Sequence, residues 1–256
     1  MKKCIMAIMA HADDLEIFAG GTMAKFTEQG YQGILVMLTG NMSGAAVGKK
    51  KYQAVLPREA APVREQETRN GAAILGVKKI ESLNFQELVY SNGTKFVWPY
   101  DPGYQYEYPG YGPTLPSVAS NRRLHAPLVA LLKKYQPEIV ISQHMFSGIE
   151  HLCSGHIINQ VFRSAIDQGI SLGQLWLPVA PRYFNWAADL RIYPSPNILI
   201  DTTAQWPRKE KAILAHKSQK LKGAIEKIHM QDRYWGVARQ CELAEAFFTL
   251  CDARYR

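Results

Sequence analysis

Short apolar runs, each followed by a segment with helical spacing, are the feature that most limits the fold of this chain. The continuous apolar runs lie at 4–10, 33–39 and 137–142. The helical patterns lie at 16–29, 62–77, 122–134 and 155–168. Such runs are typical of strands buried on both faces. Their alternation with helices predicts an α/β fold, with a mainly parallel sheet covered by helices on both faces.

The remaining pattern extends this sheet. A strand is predicted near "IESLNF" (80–85), and the final third reads as strands "RYFNW" (182–186) and "NILIDTT" (197–203), a long helix from Pro207 to about Lys227, and a strand "ELAEAFFTL" (242–250). No internal repeat or low-complexity tract interrupts it. At 256 residues we expect one domain spanning 1–256.

Charge and cysteine content limit the class of partner. The formal net charge is +8, but the basic residues are scattered apart from one run, Lys49 to Lys51. Without a basic arm or an aromatic nucleic-acid motif, we expect a small-molecule partner and no nucleic acid. The four cysteines form no CxxC pair, which favours the cytoplasm, and no apolar run is long enough to span a membrane. A homo-oligomer and a monomer both remain open.

One segment lacks any usable period. Residues 90–113, "YSNGTKFVWPYDPGYQYEYPGYGP", are rich in Tyr, Pro and Gly. Loops of this length inside a domain are usually binding loops or lids. We favour a substrate loop, because aromatic faces suit sugar rings. The alternative is a surface excursion packed by its own aromatic side chains.

Three strongly polar residues follow the first predicted strand. His11, Asp13 and Asp14 stand at the carboxyl end of that strand, where α/β sheets bind ligands. His11 and Asp14 can converge on one cation, since imidazole nitrogen and carboxylate oxygen are ordinary Zn²⁺ ligands. Asp13 is then left to accept a proton from a water molecule at the metal. Simple capping of the next helix is the alternative, although one aspartate suffices for a cap.

A second group of histidines follows the strand at 137–142. His144, His151 and His156 all lie beyond its predicted carboxyl end. We expect His156, placed where the next helix is predicted to begin, to face the same crevice as His11. A catalytic zinc usually has three protein ligands, so one histidine from this group would complete the site.

Several stretches together resemble the PIG-L/LmbE-like deacetylases, zinc-dependent enzymes that remove acetyl from N-acetylglucosaminyl groups. The similar stretches are "AHADDLEIFAGGT" (10–22), "RNGAAILGV" (69–77), "PEIVIS" (137–142), "PNILIDTT" (196–203), "KEKAILAHKSQ" (209–219) and "AEAF" (244–247). The resemblance implies a Rossmann-like fold over nearly the whole chain. It also implies His11, Asp14 and His156 as zinc ligands and Asp13 as general base.

We therefore expect a metal-dependent hydrolase that removes an acetyl group from an N-acetyl amino sugar or sugar conjugate. Zinc is the expected metal, with another divalent ion as the alternative. The rival function is a non-catalytic sugar-binding or regulatory protein that keeps the fold and the metal. Arg64 is expected to bind substrate. His216 is a second such residue, unless it merely packs its helix.

One motif departs from the family pattern. The family carries His-x-Asp-His, and the corresponding stretch of this chain is "CSGH" (153–156). Cys153 and Gly155 then replace a histidine and an aspartate. Cleavage of an amide needs a proton donor for the departing amine. We expect His151 to supply it, with His144 as the second choice.

Overall fold

The computed structural model describes residues 3–46, 48, 54–145, 148–179 and 196–255. Two features singled out above lie outside these residues: the lysine run at 49–51 and the predicted strand at 182–186.

Within the described ranges, seven strands form one sheet and two more form a separate hairpin. The strands are β1 (Cys4–Met9), β2 (Gln32–Thr39), β3 (Lys79–Phe85), β4 (Tyr90–Ser91), β5 (Phe96–Val97), β6 (Ile139–Ile141), β7 (Gln174–Pro178), β8 (Ile198–Asp201) and β9 (Ala244–Asp252). Their order in the sheet is β3-β2-β1-β6-β7-β9-β8, and β4 pairs with β5. The first five strands of that order pair in parallel, whereas β9 runs antiparallel to both β7 and β8.

Helices cover both faces of the sheet. They are α1 (Asp14–Glu28), α2 (Pro57–Ile74), α3 (Leu115–Ser120), α4 (Ala126–Tyr135), α5 (Ile149–Asp167), α6 (Trp206–Leu214) and α7 (Ile225–Arg239). Short 3₁₀ turns lie at 122–125, 203–205, 217–219, 221–224 and 253–255. None of the helices in the described ranges is both long and apolar enough to cross a membrane.

The predicted fold class is confirmed, and several elements differ locally from the prediction. Helix α5 begins at Ile149 rather than at residue 155, and β7 was not among the predicted strands. The single helix expected from Pro207 to Lys227 is broken after Leu214, and Lys220 has a left-handed backbone (φ 53°) that an α-helix does not accommodate.

Strand β1 shows how the sequence builds two cores. Cys4, Met6 and Ile8 point to one face and pack with apolar residues of α3, α4 and α5. Ile5, Ala7 and Met9 point to the other face, against α1, α2 and α6. A strand buried on both faces has no polar positions to alternate with apolar ones, which explains its continuous apolar run.

Helix α1 is interrupted one turn after it begins. The backbone of Ala19 leaves the helical region (φ −150°, ψ 20°). The N–H groups of Gly21 and Thr22 then donate to the two carboxylate oxygens of Glu245, at 2.9 and 2.7 Å. A carboxylate at these two N–H groups compensates the lost intrahelical bonds and ties α1 to β9.

Glu245 belongs to a buried network of three charges. Lys209 Nζ lies 2.7 Å from Asp232 Oδ2 and 2.7 Å from Glu245 Oε1, so that α6, α7 and β9 meet on one ammonium group. The single positive charge of Lys209 can neutralise only one of the two carboxylates. Glu245 also accepts hydrogen bonds from two backbone N–H groups. Burial, reinforced by the charge of Glu245 and opposed by Lys209, raises the pKa of Asp232 to about 7.

This network predicts a pH-dependent stability. A carboxyl whose pKa is raised in the folded state gives stability that is complete below about pH 4 and lost as the pH rises towards 7. In Asp232→Asn the amide is neutral throughout. We expect the free energy of unfolding of Asp232→Asn, relative to wild type, to increase by about 1 kcal/mol or more from pH 5 to pH 8. Urea unfolding at both pH values measures it. Asp101→Asn, which removes a carboxylate from the 90–113 loop, is the control, and equal changes in both variants would contradict the prediction.

Candidate functional site

The turn between β1 and α1 is built around Asp14. The backbone N–H of His11 donates to Asp14 Oδ2 at 2.7 Å, and the backbone N–H of Asp14 donates to the carbonyl oxygen of His11 at 3.3 Å. This reciprocal pair closes a tight turn. It brings the His11 and Asp14 side chains onto the same side, at the carboxyl edge of the sheet.

Buried polar residues from neighbouring strand ends hold this turn in place. The N–H of Ala10 donates to Gln143 Oε1 (3.1 Å), and the N–H of Ala12 donates to Asn41 Oδ1 (2.9 Å). Glu87, after β3, accepts from the N–H of Ser43 at 2.7 Å. Asn41 and Gln143 were not among the residues expected at this site. Their signal is a polar residue two or three positions after an apolar strand, in "MLTGN" and "ISQH".

Three potential ligand side chains converge beside the turn. His11 Nδ1 lies 3.0 Å from His151 Nε2, and Asp14 Oδ1 lies 3.3 Å from the same nitrogen. His11 Nδ1 is 3.5 Å from Asp14 Oδ2. In a tetrahedral zinc site, ligand atoms about 2.0–2.1 Å from the ion stand roughly 3.3 Å from one another. Both the spacing and the donor types of His11, Asp14 and His151 therefore fit Zn²⁺.

The same three side chains are strongly coupled electrostatically. Burial acts to lower the pKa of His11, but the hydrogen bond and charge of Asp14, with Glu87 and Glu150, raise it to about 10. Burial acts to raise the pKa of Asp14, yet the charge of His151 and the hydrogen bonds from both histidines hold it well below its usual range. The group therefore keeps a carboxylate, the charged form that a cation requires.

His156 does not join this group. It lies in α5 five residues beyond His151, which rotates it by about 140° around the helix axis. Its imidazole is exposed and hydrogen-bonded to Gln160 Nε2 at 2.5 Å. The expectation that His156 faces His11 rested on a helix beginning at residue 155. Because α5 begins at Ile149, His151 occupies the first turn that faces the site.

Cys153 and Gly155 have packing roles in the structure. Cys153 is buried in the core on the α5 side of the sheet, and burial raises the pKa of its thiol. A Cβ at Gly155 would lie 2.3 Å from Met145 Cγ and 2.9 Å from the carbonyl oxygen of Gln143. Gly155 thus lets α5 approach the segment that follows β6.

His144 lies behind His151. It is fully buried, and its ring makes edge contacts with the rings of Phe18 and His151, at centroid distances of 4.2 and 4.6 Å. Burial, with the charge of His151, lowers the pKa of His144 to about 3. An imidazole with that pKa is neutral near pH 7. This does not match the titrating proton donor envisaged for it.

Asp13 stands next to the group and is partly open to solvent. Arg64, from α2, donates from Nη2 to Asp13 Oδ1 at 3.3 Å. The side chain of Arg64 is only 4% exposed, whereas that of Asp13 is 15% exposed. Arg64 therefore contacts Asp13 and offers almost no surface to a substrate, and the substrate-binding role expected for it stays a prediction.

His216 lies deeper still. Its side chain and that of Glu16 are wholly buried, with His216 Nε2 3.4 Å from Glu16 Oε1. Burial acts to lower the pKa of His216, but the charges of Glu16 and Asp13 raise it. His216 is therefore buried, and its contact with a substrate stays a prediction. A Cβ at Gly71 of α2 would lie 3.0 Å from His216 Nε2, so Gly71 leaves room for the imidazole.

Comparisons with known proteins identify the family of this chain. A family model described as GlcNAc-PI de-N-acetylase (PIG-L) matches residues 6–162, more than half of the chain and a range that includes the 11–14 turn and His151. Diacetylchitobiose deacetylase of Thermococcus kodakarensis is 37% identical over 91 residues, which are 35% of this chain and 32% of that protein. The match thus spans about a third of that relative's length.

Solved structures share the fold across nearly the whole chain. N,N'-diacetylchitobiose deacetylase from Pyrococcus horikoshii superposes with a TM-score of 0.68 at 21% identity, covering 99% of this chain and 85% of that one. The 4-carboxy-2-hydroxymuconate hydratase from Pseudomonas putida gives 0.69 at 19% identity, covering 98% and 97%. Since these two neighbours differ in reaction, structural likeness at this identity establishes the fold alone. It is the sequence match over residues 6–162 that assigns the chain to the PIG-L family of GlcNAc-PI de-N-acetylases.

Proposed function

We propose that this chain is a metal-dependent hydrolase that removes an acetyl group from an N-acetyl amino sugar or sugar conjugate. The observation that carries the proposal is the convergence of His11, Asp14 and His151, with Asp13 beside them, at the carboxyl edge of the sheet. Membership of the PIG-L family and the amino-sugar substrates in the names of its relatives support the choice of substrate.

His11, Asp14 and His151 would hold the metal. Zn²⁺ is the proposed ion, and another divalent cation is the alternative. When bound there, it would polarise the amide carbonyl and make a water molecule more acidic. With His151 as third ligand, the family's His-x-Asp-His motif falls on residues 148–151 of this chain. Glu150 then takes the place of the aspartate and Gly148 that of the first histidine.

Asp13 would transfer a proton from the attacking water to the amide nitrogen. As the water oxygen attacks the amide carbon, the Asp13 carboxylate accepts the water's proton. It then delivers that proton to the amide nitrogen as the C–N bond breaks, which releases acetate and a free amine. The hydrogen bond from Arg64 fixes the orientation of Asp13. One partly exposed carboxylate can serve as both base and acid, and in this proposal His151 is a metal ligand rather than the proton donor expected from the sequence.

Acetate release from a panel of N-acetyl sugars tests the proposal. We expect metal-loaded protein to release acetate and a free amine in equal amounts from N-acetylglucosamine derivatives. We expect no release after chelation, and recovery on adding zinc. Binding of the same sugars without any acetate release would contradict the proposal and favour the non-catalytic sugar-binding protein.

We further propose that the protein acts in the cytoplasm on a small-molecule substrate. Cys4, Cys153, Cys241 and Cys251 are all free thiols in the structure. Free cysteines are typical of a reducing compartment.

A further inference from the structure

The loop at 90–113 is largely fixed by its own aromatic residues. Tyr104, Tyr108 and Tyr111 pack against the buried residues Met42, Tyr90 and Val97. The Tyr104 hydroxyl donates to the carbonyl of Leu88 at 2.8 Å, and the Tyr90 hydroxyl accepts from the N–H of Gln105 at 2.7 Å. The loop is therefore an ordered platform with a small aromatic core.

Three aromatic side chains of the loop are exposed outside this core, Trp98, Tyr100 and Tyr106, and Trp98 and Tyr100 form a stacked pair. Trp98 is 43% exposed and Tyr100 is 79% exposed. Their ring planes lie within 9° of parallel, with centroids 6.1 Å apart. A tight turn fixes the segment between them, because the N–H of Trp98 donates to Asp101 Oδ2 and the N–H of Asp101 donates to the carbonyl of Trp98, both at 2.9 Å. Two large rings are thus held with their faces in the same orientation, partly in solvent.

The loop is anchored beside the candidate site. Leu88, which accepts from Tyr104, donates its N–H to Glu150 Oε1 at 3.2 Å. Glu150 immediately precedes His151 in the first turn of α5. The base of the loop, where Tyr104 contacts Leu88, therefore lies beside the candidate site.

The charge of the loop indicates what kind of ligand it accepts. Although the chain carries a net charge of +8, residues 90–113 contain one lysine, one aspartate and one glutamate. Exposed aromatic faces in a segment that carries a single basic residue do not favour a phosphate, a nucleic acid or an anionic membrane. They suit a neutral ring with an apolar face, and a pyranose has one.

We propose that Trp98 and Tyr100 form a stacking subsite for a neutral pyranose ring that lies beyond the reactive N-acetyl sugar. The substrate is then a saccharide or glycoconjugate of at least two rings. This inference rests on the proposed function, since it assumes that the reactive sugar binds beside His11.

Binding without turnover tests the subsite directly. Triacetylchitotriose and N-acetylglucosamine are titrated calorimetrically into metal-loaded Asp13→Asn protein. The same titrations are repeated with double variants that combine Asp13→Asn with Trp98→Ala, Tyr100→Ala or Trp98→Phe. We expect the trisaccharide to bind more tightly than the monosaccharide. Each alanine variant should reduce that ratio by about two- to tenfold, the range of one lost aromatic contact. Trp98→Phe, which keeps an aromatic face, should lose less.

Tyr234→Ala is the matched control, because Tyr234 is a 59% exposed aromatic residue on α7. It should leave the ratio unchanged. The subsite is refuted if the trisaccharide has no advantage, or if its advantage survives both alanine variants. Its failure is distinguishable from that of the proposed function. If the protein releases acetate with a chain-length preference that Trp98→Ala does not alter, the subsite alone is refuted. If the trisaccharide binds in a manner that depends on Trp98 and Tyr100 but the protein releases no acetate, the hydrolase function alone is refuted.

Discussion

Asp13→Asn is expected to retain its metal and lose about 10²–10⁴-fold in kcat, the usual contribution of a positioned general acid–base group. The carboxamide has the shape of the carboxylate and still offers an oxygen to Arg64 Nη2. It cannot accept a proton from water or return one to the amine. The loss should therefore fall on kcat, with little change in KM, as for an interaction made in the transition state.

Steady-state acetate release and metal content, measured on the same preparation, check this result. Glu65→Gln is the matched control. It removes a carboxylate from α2, the helix that carries Arg64, but Glu65 is exposed and pairs with Arg69 on that helix. Its activity should equal that of wild type. If Asp13→Asn hydrolyses substrate at the wild-type rate, another group transfers the proton.

His151→Ala is expected to weaken zinc binding by more than about 100-fold, whereas His156→Ala should bind zinc as wild type does. Loss of a residue that merely supports a ligand costs about 10–100-fold in metal affinity, so loss of a ligand should cost more. Both variants remove an imidazole from α5. They therefore differ in the face of the helix that is altered and in little else.

Competition against a chelator of known affinity gives the zinc Kd of each variant, and circular dichroism confirms that α5 is retained. Wild-type affinity in His151→Ala would contradict the assignment of His151. Weak binding in His156→Ala alone would restore His156 as the third ligand.

The sequence predicts best what is local in the chain. The apolar runs at 4–10 and 33–39 match β1 and β2 to within one residue at each end, and both strands are buried on both faces. His11 and Asp14 are three residues apart in one turn. Their convergence therefore follows from the backbone of that turn, and sequence spacing alone suffices to predict it.

The third member of the group depends on a helix boundary, the least predictable feature of a sequence. Gly148, Ile149 and Glu150 carry no strong capping signal, so a helix beginning at residue 155 was equally plausible from the pattern. A helix that begins at residue 155 has His156 in its first turn, whereas a helix that begins at Ile149 has His151 there. Burial of Arg64 and His216 depends on contacts with Asp13 and Glu16 across the fold, which no local pattern reveals.

The position of β9 in the sheet has a consequence for biosynthesis. β9 pairs with β7 on one side and β8 on the other, yet it is translated after both. The parallel strands β3, β2, β1, β6 and β7 can assemble as the chain emerges, because each has its neighbour already made. Until β9 follows, β7 and β8 lack the strand that pairs with both of them among the described residues, and Lys209 lacks Glu245. A nascent chain stalled before residue 244 would therefore expose unpaired strand edges, which are targets for chaperones and proteases. The residues of the 11–14 turn would already be present in that chain.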